Sequence, residues 1–441
     1  MMTTVPTSAS STFDKTASTL LQHHLSRSPI EADEDGIPFA NPSPDLRFSS
    51  FVSLFSPTDQ SYMASLFRLG HALFDEIDLR LGDSVADIRN RLITLHRKAT
   101  LSAWLEDAVA PAVESDLKDE SSTGSTSATY IFLTGNQIEK ASERAMEAGN
   151  MKLATLISQG GGDLNFREDL LEQLHIWREQ RVDVHIDDSI RKVYALLAGT
   201  TDVLEGSKGT GLERCTDVDL LKGLDWKRTF GFHMWFSEPL DATIGQVFQA
   251  YNQIRKQLTS RVTPPLPWYI ESPSTSSPES PWRLLSPPVH DDALFSLIRL
   301  HAEPACSLSH IFTPLSFGPS PVDYSILWHL YILLSRCIRV RDFADRGDPG
   351  INRDMEQDEE EEFRVEGHSP SADLLASSYA FQLEGYGMIQ EALFVLLHIE
   401  GSVGFVGFPS SLLELAYVIL SGEKRLSKIC FSALLQSWMN G

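Results

Sequence analysis

The chain has 441 residues, 42% hydrophobic and 22% charged, so a large core can form and wholesale disorder is excluded. Lys and Arg number 37 against 60 Asp and Glu, a formal charge of −23. A chain this acidic is not built to grip nucleic acid through its phosphates or anionic lipid through a polybasic patch. Its cysteines, Cys215, Cys306, Cys337 and Cys430, form no close pair, which argues against a disulfide framework and for a reducing compartment. The N-terminus MMTTVPTSASSTF lacks a signal-peptide pattern, and no stretch approaches the ~18 apolar residues of a membrane span.

Residues 1–47, rich in Ser, Thr, Pro and Asp, are predicted to be disordered. Ser56-Pro57-Thr58-Asp59 predicts a helix start, with Met63, Leu66, Phe67, Leu73, Phe74 and Ile77 following at helical spacing. Two further helices are predicted near 84–99 and 101–117, the second burying Leu101, Trp104, Leu105 and Val109. Residues 118–128 read as a loop. Thr134 and Gln137 have capping-box spacing, and Ala141, Ala145 and Ala148 form a small-residue face that admits a close neighbour. Gly149-Asn150 ends that helix and opens the next, which carries Leu153, Ala154 and Ile157. Asp163 is predicted to cap a helix whose buried stripe is Phe166, Leu170, Leu171, Leu174 and Trp177, with Arg167, Glu168, Glu172 and Glu179 in water. Asp187 or Asp188 opens one more, through Ile190, Val193, Tyr194 and Leu197.

A Gly-rich loop at 200–216 precedes helices at 217–231 and 243–258. The Pro/Ser-rich stretch 262–289 is predicted to be a non-helical loop. Helix resumes at 290–302, and Ser320-Pro321-Val322-Asp323 repeats the earlier helix start. A loop at 350–368 carries the acidic run 354–362. Met388–Ile399 is apolar nearly all round and reads as a buried helix. Ser411 and Glu414 form another capping box, and Leu426, Cys430, Ala433, Leu434 and Trp438 stripe a final helix. No alternating apolar run persists, so strands should be few. The pattern is all-α, an irregular α-solenoid of antiparallel helix pairs over 48–261 and 290–441.

No catalytic, cofactor or metal constellation emerges. Gly206-Ser207-Lys208-Gly209-Thr210-Gly211 is Gly-rich without the P-loop pattern, and reads as a mobile loop. His301, Cys306 and His310 lack a second ligand pair, and His23-His24 falls in the segment predicted to be disordered. The pairs Asp187-Asp188 and Asp291-Asp292 have no third acid at the spacing a magnesium-binding helix needs, and read as N-caps. The acidic run 354–362 reads as solvated. Trp104, Trp177, Trp226 and Trp328 sit at helical spacing beside leucines, so they are predicted core together with Phe166, Leu170 and Leu174. A long chain spent on helix pairs without catalytic residues is expected to act through its surface. The alternatives are a vesicle-coat or other helical adaptor and an all-helical enzyme.

The ordered set YIFLTGN…NMKLATLISQ…LLAG (130–199), LDWKRTFGFHMWFS (224–237), DYSILWHLYILL (323–334) and YAFQLEGYGMIQEALFVLLHI (379–399) resembles the nuclear-pore protein 96 family. Residues 47–77 resemble the same family's entry into its first helices. The resemblance implies an ancestral coatomer element with trunk, crown and tail. Trunk and crown would fall in 48–261, trunk return and tail in 290–441. It implies a scaffold subunit of the Y-shaped outer ring of the nuclear pore, in the nuclear envelope, supporting transport of protein and mRNA. Other outer-ring nucleoporins would dock through crown and tail helices. A strand segment upstream of the helices would complete a coat-type β-propeller. Met388 stands where the family has an aromatic residue, and residues 1–47 offer neither an H-F-S cleavage junction nor an alternating stretch. The chain therefore reads as truncated or divergent, and it is expected to bind the propeller weakly.

Overall fold

The structure is a computed structural model that describes residues 14–32, 38–77, 86–119, 125–160, 164–209, 211–271, 290–346 and 369–399. The fold is all-α. Helix α1 (Lys15–Leu25) is followed by a short antiparallel pair, β1 (Ile30–Ala32) and β2 (Pro38–Ala40), and then by α2 (Phe48–Val52) and α3 (Tyr62–Phe74). Then come α4 (Ala86–Asp119), α5 (Ser125–Thr134), α6 (Ile138–Glu147), α7 (Met151–Ser158), α8 (Leu164–Glu179) and α9 (Asp188–Leu197). A second two-stranded pair, β3 (Val203–Leu204) and β4 (Val218–Asp219), precedes α10 (Trp226–Phe232) and α11 (Ile244–Gln257). The chain ends its described part with α12 (Trp268–Glu271), α13 (Ala293–Ala302), α14 (Pro314–Phe317), α15 (Ser325–Tyr331), α16 (Pro370–Gly385) and α17 (Ile389–Leu396). Both α10 and α15 run on into π-helical turns, His233–Ser237 and Ile332–Cys337.

The chain divides into two compact units. Unit 1 is assembled from Met1–Asp75, Pro267–Ala293 and Pro304–Gly441; unit 2 from Glu76–Leu266 and Leu294–Glu303.

In unit 1, Ser61 caps α3 by accepting from the Ala64 amide, and Leu66, Phe67, Leu69, Leu73 and Phe74 face inward. The buried Asp75 carboxylate caps α2 from a distance, accepting from the Phe48 and Ser49 amides at 3.1 and 2.8 Å. Phe51 and Phe67 stack at 4.9 Å between ring centres. Gly70 is needed beneath Phe48, because a β-carbon there would lie 2.2 Å from the ring. Ser369 caps α16, with Pro370 at the first helical position, and α16 pairs with α17. Fully buried Trp328 and Tyr379 lie 5.5 Å apart at the centre of this unit.

In unit 2, α5, α6 and α7 form successive helical hairpins. Ala141, Ala145 and Ala154 are buried, and Ser142 Oγ donates to the Ala154 carbonyl at 3.2 Å. Asn150, Asp187, Asp225 and Thr243 cap α7, α9, α10 and α11. Trp226, Phe248, Tyr251 and Phe295 form the aromatic centre.

Several expectations are corrected. Residues 15–25, expected to be disordered, form α1, whose Leu20, Leu21 and His24 are buried. The two helices expected at 84–99 and 101–117 are one 34-residue helix, with Pro111 inside it. Ser56–Asp59 is a turn, and the helix begins at Tyr62. Thr134 ends α5 and bonds back to the Ile131 carbonyl, while Gln137 precedes α6 without a side-chain cap. Ala148 is exposed. Residues 217–225, expected to be helical, hold β4 and a loop. The stretch expected to be non-helical contains one turn of helix, α12. The loop 350–368, Asp163 and everything after Ile399, including the Ser411 cap and the final stripe, lie outside the described residues.

Candidate protein-docking surface

Within unit 2, α8 shows how an apolar face comes to point outward. Its inward residues are Arg167, Leu170 and Leu174; Leu171 is exposed, and Phe166 and Trp177 are half-buried. The predicted stripe was therefore rotated by about one residue, and Arg167 does not face water. Its guanidinium donates to the carbonyls of Ser237 (2.6 Å) and Glu238 (3.3 Å), which satisfy the buried charge. Trp177 lies against Tyr194, 4.7 Å between ring centres. Leu164 and Leu171, seven residues apart, share the outer face of α8.

The next two carbonyls are held as well. Lys98 of α4 is 7% exposed and donates to Pro239 (2.8 Å) and Leu240 (3.1 Å). Burial lowers its pKa, and Glu238 and Asp241 oppose that. Four consecutive carbonyls, 237–240, are thus gripped by two buried cations. The grip holds out Leu240, which is 80% exposed. Elsewhere, the surface of unit 2 carries exposed Met146 and Met151 at the α6–α7 turn, and Ile88 and Leu92 one turn apart on α4. Unit 1 has its own apolar helix face: Leu374 and Phe381, seven apart on α16, followed by Tyr386 and Ile389 at the α16–α17 turn. Nothing in the sequence pattern marked the grip on 237–240, because a lone Arg and a lone Lys read as surface charge until the fold delivers carbonyls to them.

The other predicted core residues are placed as follows. Trp104, Leu170 and Leu174 are buried, and Trp226 and Trp328 are fully buried. The Gly-rich loop is ordered by carboxylates: the Gly206 amide donates to Asp217 (3.0 Å) and the Ser207 amide to Asp183 (2.8 Å). A β-carbon on Gly206 would lie 2.4 Å from the Cys215 carbonyl, so this position must be glycine. With two acids already on its amides, the loop is set against a phosphate rather than for one. His310 bonds back to Ser307 and closes its own short turn. His24, expected in a disordered segment, is fully buried in unit 1. Among the described residues, Cys215, Cys306 and Cys337 are in no disulfide, and no group of three or more His, Cys, Asp or Glu is placed to hold a metal ion. No helix among them is long and apolar enough to cross a membrane.

The model of one family, described as nuclear protein 96, matches residues 127–404. The chain belongs to the nuclear protein 96 family. The match takes in helices of both units, from α5 to α17. Relatives of this nuclear protein 96 chain include the nucleoporin nup189 of Schizosaccharomyces pombe, 28% identical over 391 residues, which is 88% of the chain and 20% of that protein. The nuclear pore complex protein NUP96 of Arabidopsis thaliana is 30% identical over 55% of the chain and 22% of its own length. The nuclear pore complex protein Nup98-Nup96 of Drosophila melanogaster is 24% identical over 77% of the chain and 15% of its own length. The chain thus spans about a fifth of the length of the curated relatives it matches, or less.

Proposed function

We propose that the chain is a nucleoporin that works as a non-enzymatic scaffold: a subunit of the Y-shaped outer ring of the nuclear pore complex, at the nuclear envelope, supporting transport of protein and mRNA. The observation that carries this reading is the family match joined to apolar side chains held out on helix faces and, above all, on the turn at Leu240 over the Arg167 and Lys98 grip. Interfaces draw their affinity from a few such anchors that enter a partner's pocket. Preorganised anchors lose little entropy on binding. Unit 2 takes the part of the crown and docks another nucleoporin. Unit 1 takes the part of the trunk, and its three separate chain segments suit a chain that departs and returns. The tail falls beyond α17 and reaches the other arms of the ring.

The lead-in 14–46 is not a free strand donor. It is occupied by α1 and by a three-residue β1–β2 pair, and the Ala40 amide already donates to the Leu397 carbonyl at 2.8 Å. A coat-type β-propeller, which would need a ladder of open backbone groups, is therefore bound weakly by these residues.

The test is affinity purification of the tagged chain from its own cells, beside a Leu164→Asp/Leu171→Asp/Leu240→Asp variant. Wild type should carry outer-ring nucleoporins with it, and the variant, with unchanged helicity, should lose at least one of them. Recovery of vesicle-coat subunits instead, or of no nucleoporin at all, overturns the assignment.

A further inference from the structure

Three histidines, two on helices and one just past a third, meet inside unit 1. His24 of α1 and His329 of α15 are fully buried, and His398, just past α17, is 6% exposed. His24 stacks on Trp328 at 4.5 Å and lies 5.3 Å from the rings of both His329 and His398. Phe51 and Phe394 close its remaining sides.

The hydrogen bonds here fix where a proton could enter. His24 Nδ1 and His329 Nδ1 are 3.0 Å apart, so one donates and the other accepts. A further proton on that pair can only take the donor ring's bare Nε2, since both Nδ1 atoms are committed to their shared bond. His398 Nδ1 donates to the Phe394 carbonyl at 3.0 Å, which makes its Nε2 the bare nitrogen. The Nε2 atoms of all three rings are buried with no hydrogen-bond partner among the described residues. A proton taken up by the cluster would be a buried charge without a counterion.

We propose that the His24–His329–His398 cluster is an acid-operated latch, which fastens α1 to α15 and α17 at neutral pH and lets it go when protons enter.

The charged and titratable neighbours support this reading. From α1 comes His23, which Arg27 just beyond the helix itself holds down, and from the π-turn after α15 Arg336; His23 and Arg336 disfavour added positive charge on the rings. From α16 comes the Tyr379 hydroxyl, itself held neutral by burial; Asp323 and Glu391 act on Tyr379, and neither is among the charges that act on the three rings. Burial is the largest cause of the lowered pKa in each ring: His24 is well below its ordinary 6.5, and His329 and His398 fall to about 3. With native values below the free value, docking is at full strength above about pH 6.5 and weakens as pH falls. Because His24 is the wedge between the other two, withdrawing α1 bares all three. Each free histidine then favours the open form about tenfold at pH 5.5 relative to pH 7.5, so three give about a thousandfold.

The experiment is hydrogen–deuterium exchange on the full chain at pH 7.5 and 5.5, corrected for intrinsic rates. Protection of Leu20–Leu25 in α1 should fall about a thousandfold, while Tyr379–Leu383 in α16 stays the more protected. A fall in α1 of tenfold or less overturns the latch, as does loss of α16 protection in step with α1. His24→Phe keeps a ring on Trp328 and cannot titrate, so it should shrink the fall about tenfold, and an unchanged fall counts against the proposal. If that variant has already lost α1 protection at pH 7.5, His398→Phe is measured by the same criterion.

Discussion

Trp328 and Trp177 are both tryptophans on helices, yet they should respond differently to truncation. Trp328 has no exposed surface and touches Tyr379, Phe394 and three histidine rings, whereas Trp177 is half-buried and lies against Tyr194. Trp328→Ala should cost about 3–5 kcal/mol, and Trp177→Ala roughly 1–2 kcal/mol. Urea midpoints at constant slope measure both, and equal losses would contradict the half-buried setting. Arg167→Met keeps the apolar stem but strips two carbonyls of their donor, so it should cost about 1–3 kcal/mol and loosen the segment that carries Leu240. Restored stability in Arg167→Lys would show that charge alone suffices, against the two-pronged grip seen here. This is also where hydropathy spacing fails as a guide. It placed Leu171 inside and Arg167 outside on α8, because a count of apolar residues cannot know that a guanidinium will meet two free carbonyls.

At the scale of elements, α1 is the informative case. KTASTLLQHHL buries only two of its three leucines, amid Thr, Ser and Gln, too faint a stripe to predict a helix, and its third buried residue is a histidine. The helix is legible only once His24 is allowed to act as an apolar ring against Trp328. Deleting residues 1–26 removes Leu20, Leu21 and His24 from the core. Unit 1 should then lose about 3–6 kcal/mol, read from the exchange of α16; no change would return the segment to the disordered class. Gly70→Ala on α3 drives a methyl into the Phe48 ring and should cost about 1–3 kcal/mol, again by urea midpoint. The Thr134–Gln137 spacing and the Ser56 start capped no helix, but the local caps Asn150 and Asp187, which close hydrogen bonds within three residues, were readable. The remote Asp75 cap on α2 was not, since it joins residues 26 and 27 positions apart.

For the molecule as a whole, the two units share a plan that local pattern hides. Each is centred on a helix with a fully buried tryptophan, Trp226 or Trp328, that ends in a π-turn, and each buries a tyrosine and histidine beside it, Tyr251 with His233 or Tyr379 with His329. Burial lowers His233 to about 4. Unit 2 therefore holds one such buried, depressed histidine against three in unit 1 among the described residues, where the half-buried His23 is lowered as well. Each depressed value lies below that of the unfolded chain, so the stability it supports is complete above about pH 6.5 and declines on acidification. At pH 5 the loss is about 2 kcal/mol per histidine. Unit 1 should therefore melt first in acid, seen as a calorimetric transition that splits between pH 7.5 and 5; a single transition that shifts as one would exclude this. The last consequence comes from α4. At 34 residues it is about 51 Å long, and from Ile88 to Arg97 it has no buried side chain. A bare stretch of that length is close to the coil boundary in water. Its order in the isolated chain should fade towards Ala86 and return when another surface covers Ile88 and Leu92. The length of α4 that resists solvent exchange is thus a ruler, built into the chain, for how much of its assembly has formed around it.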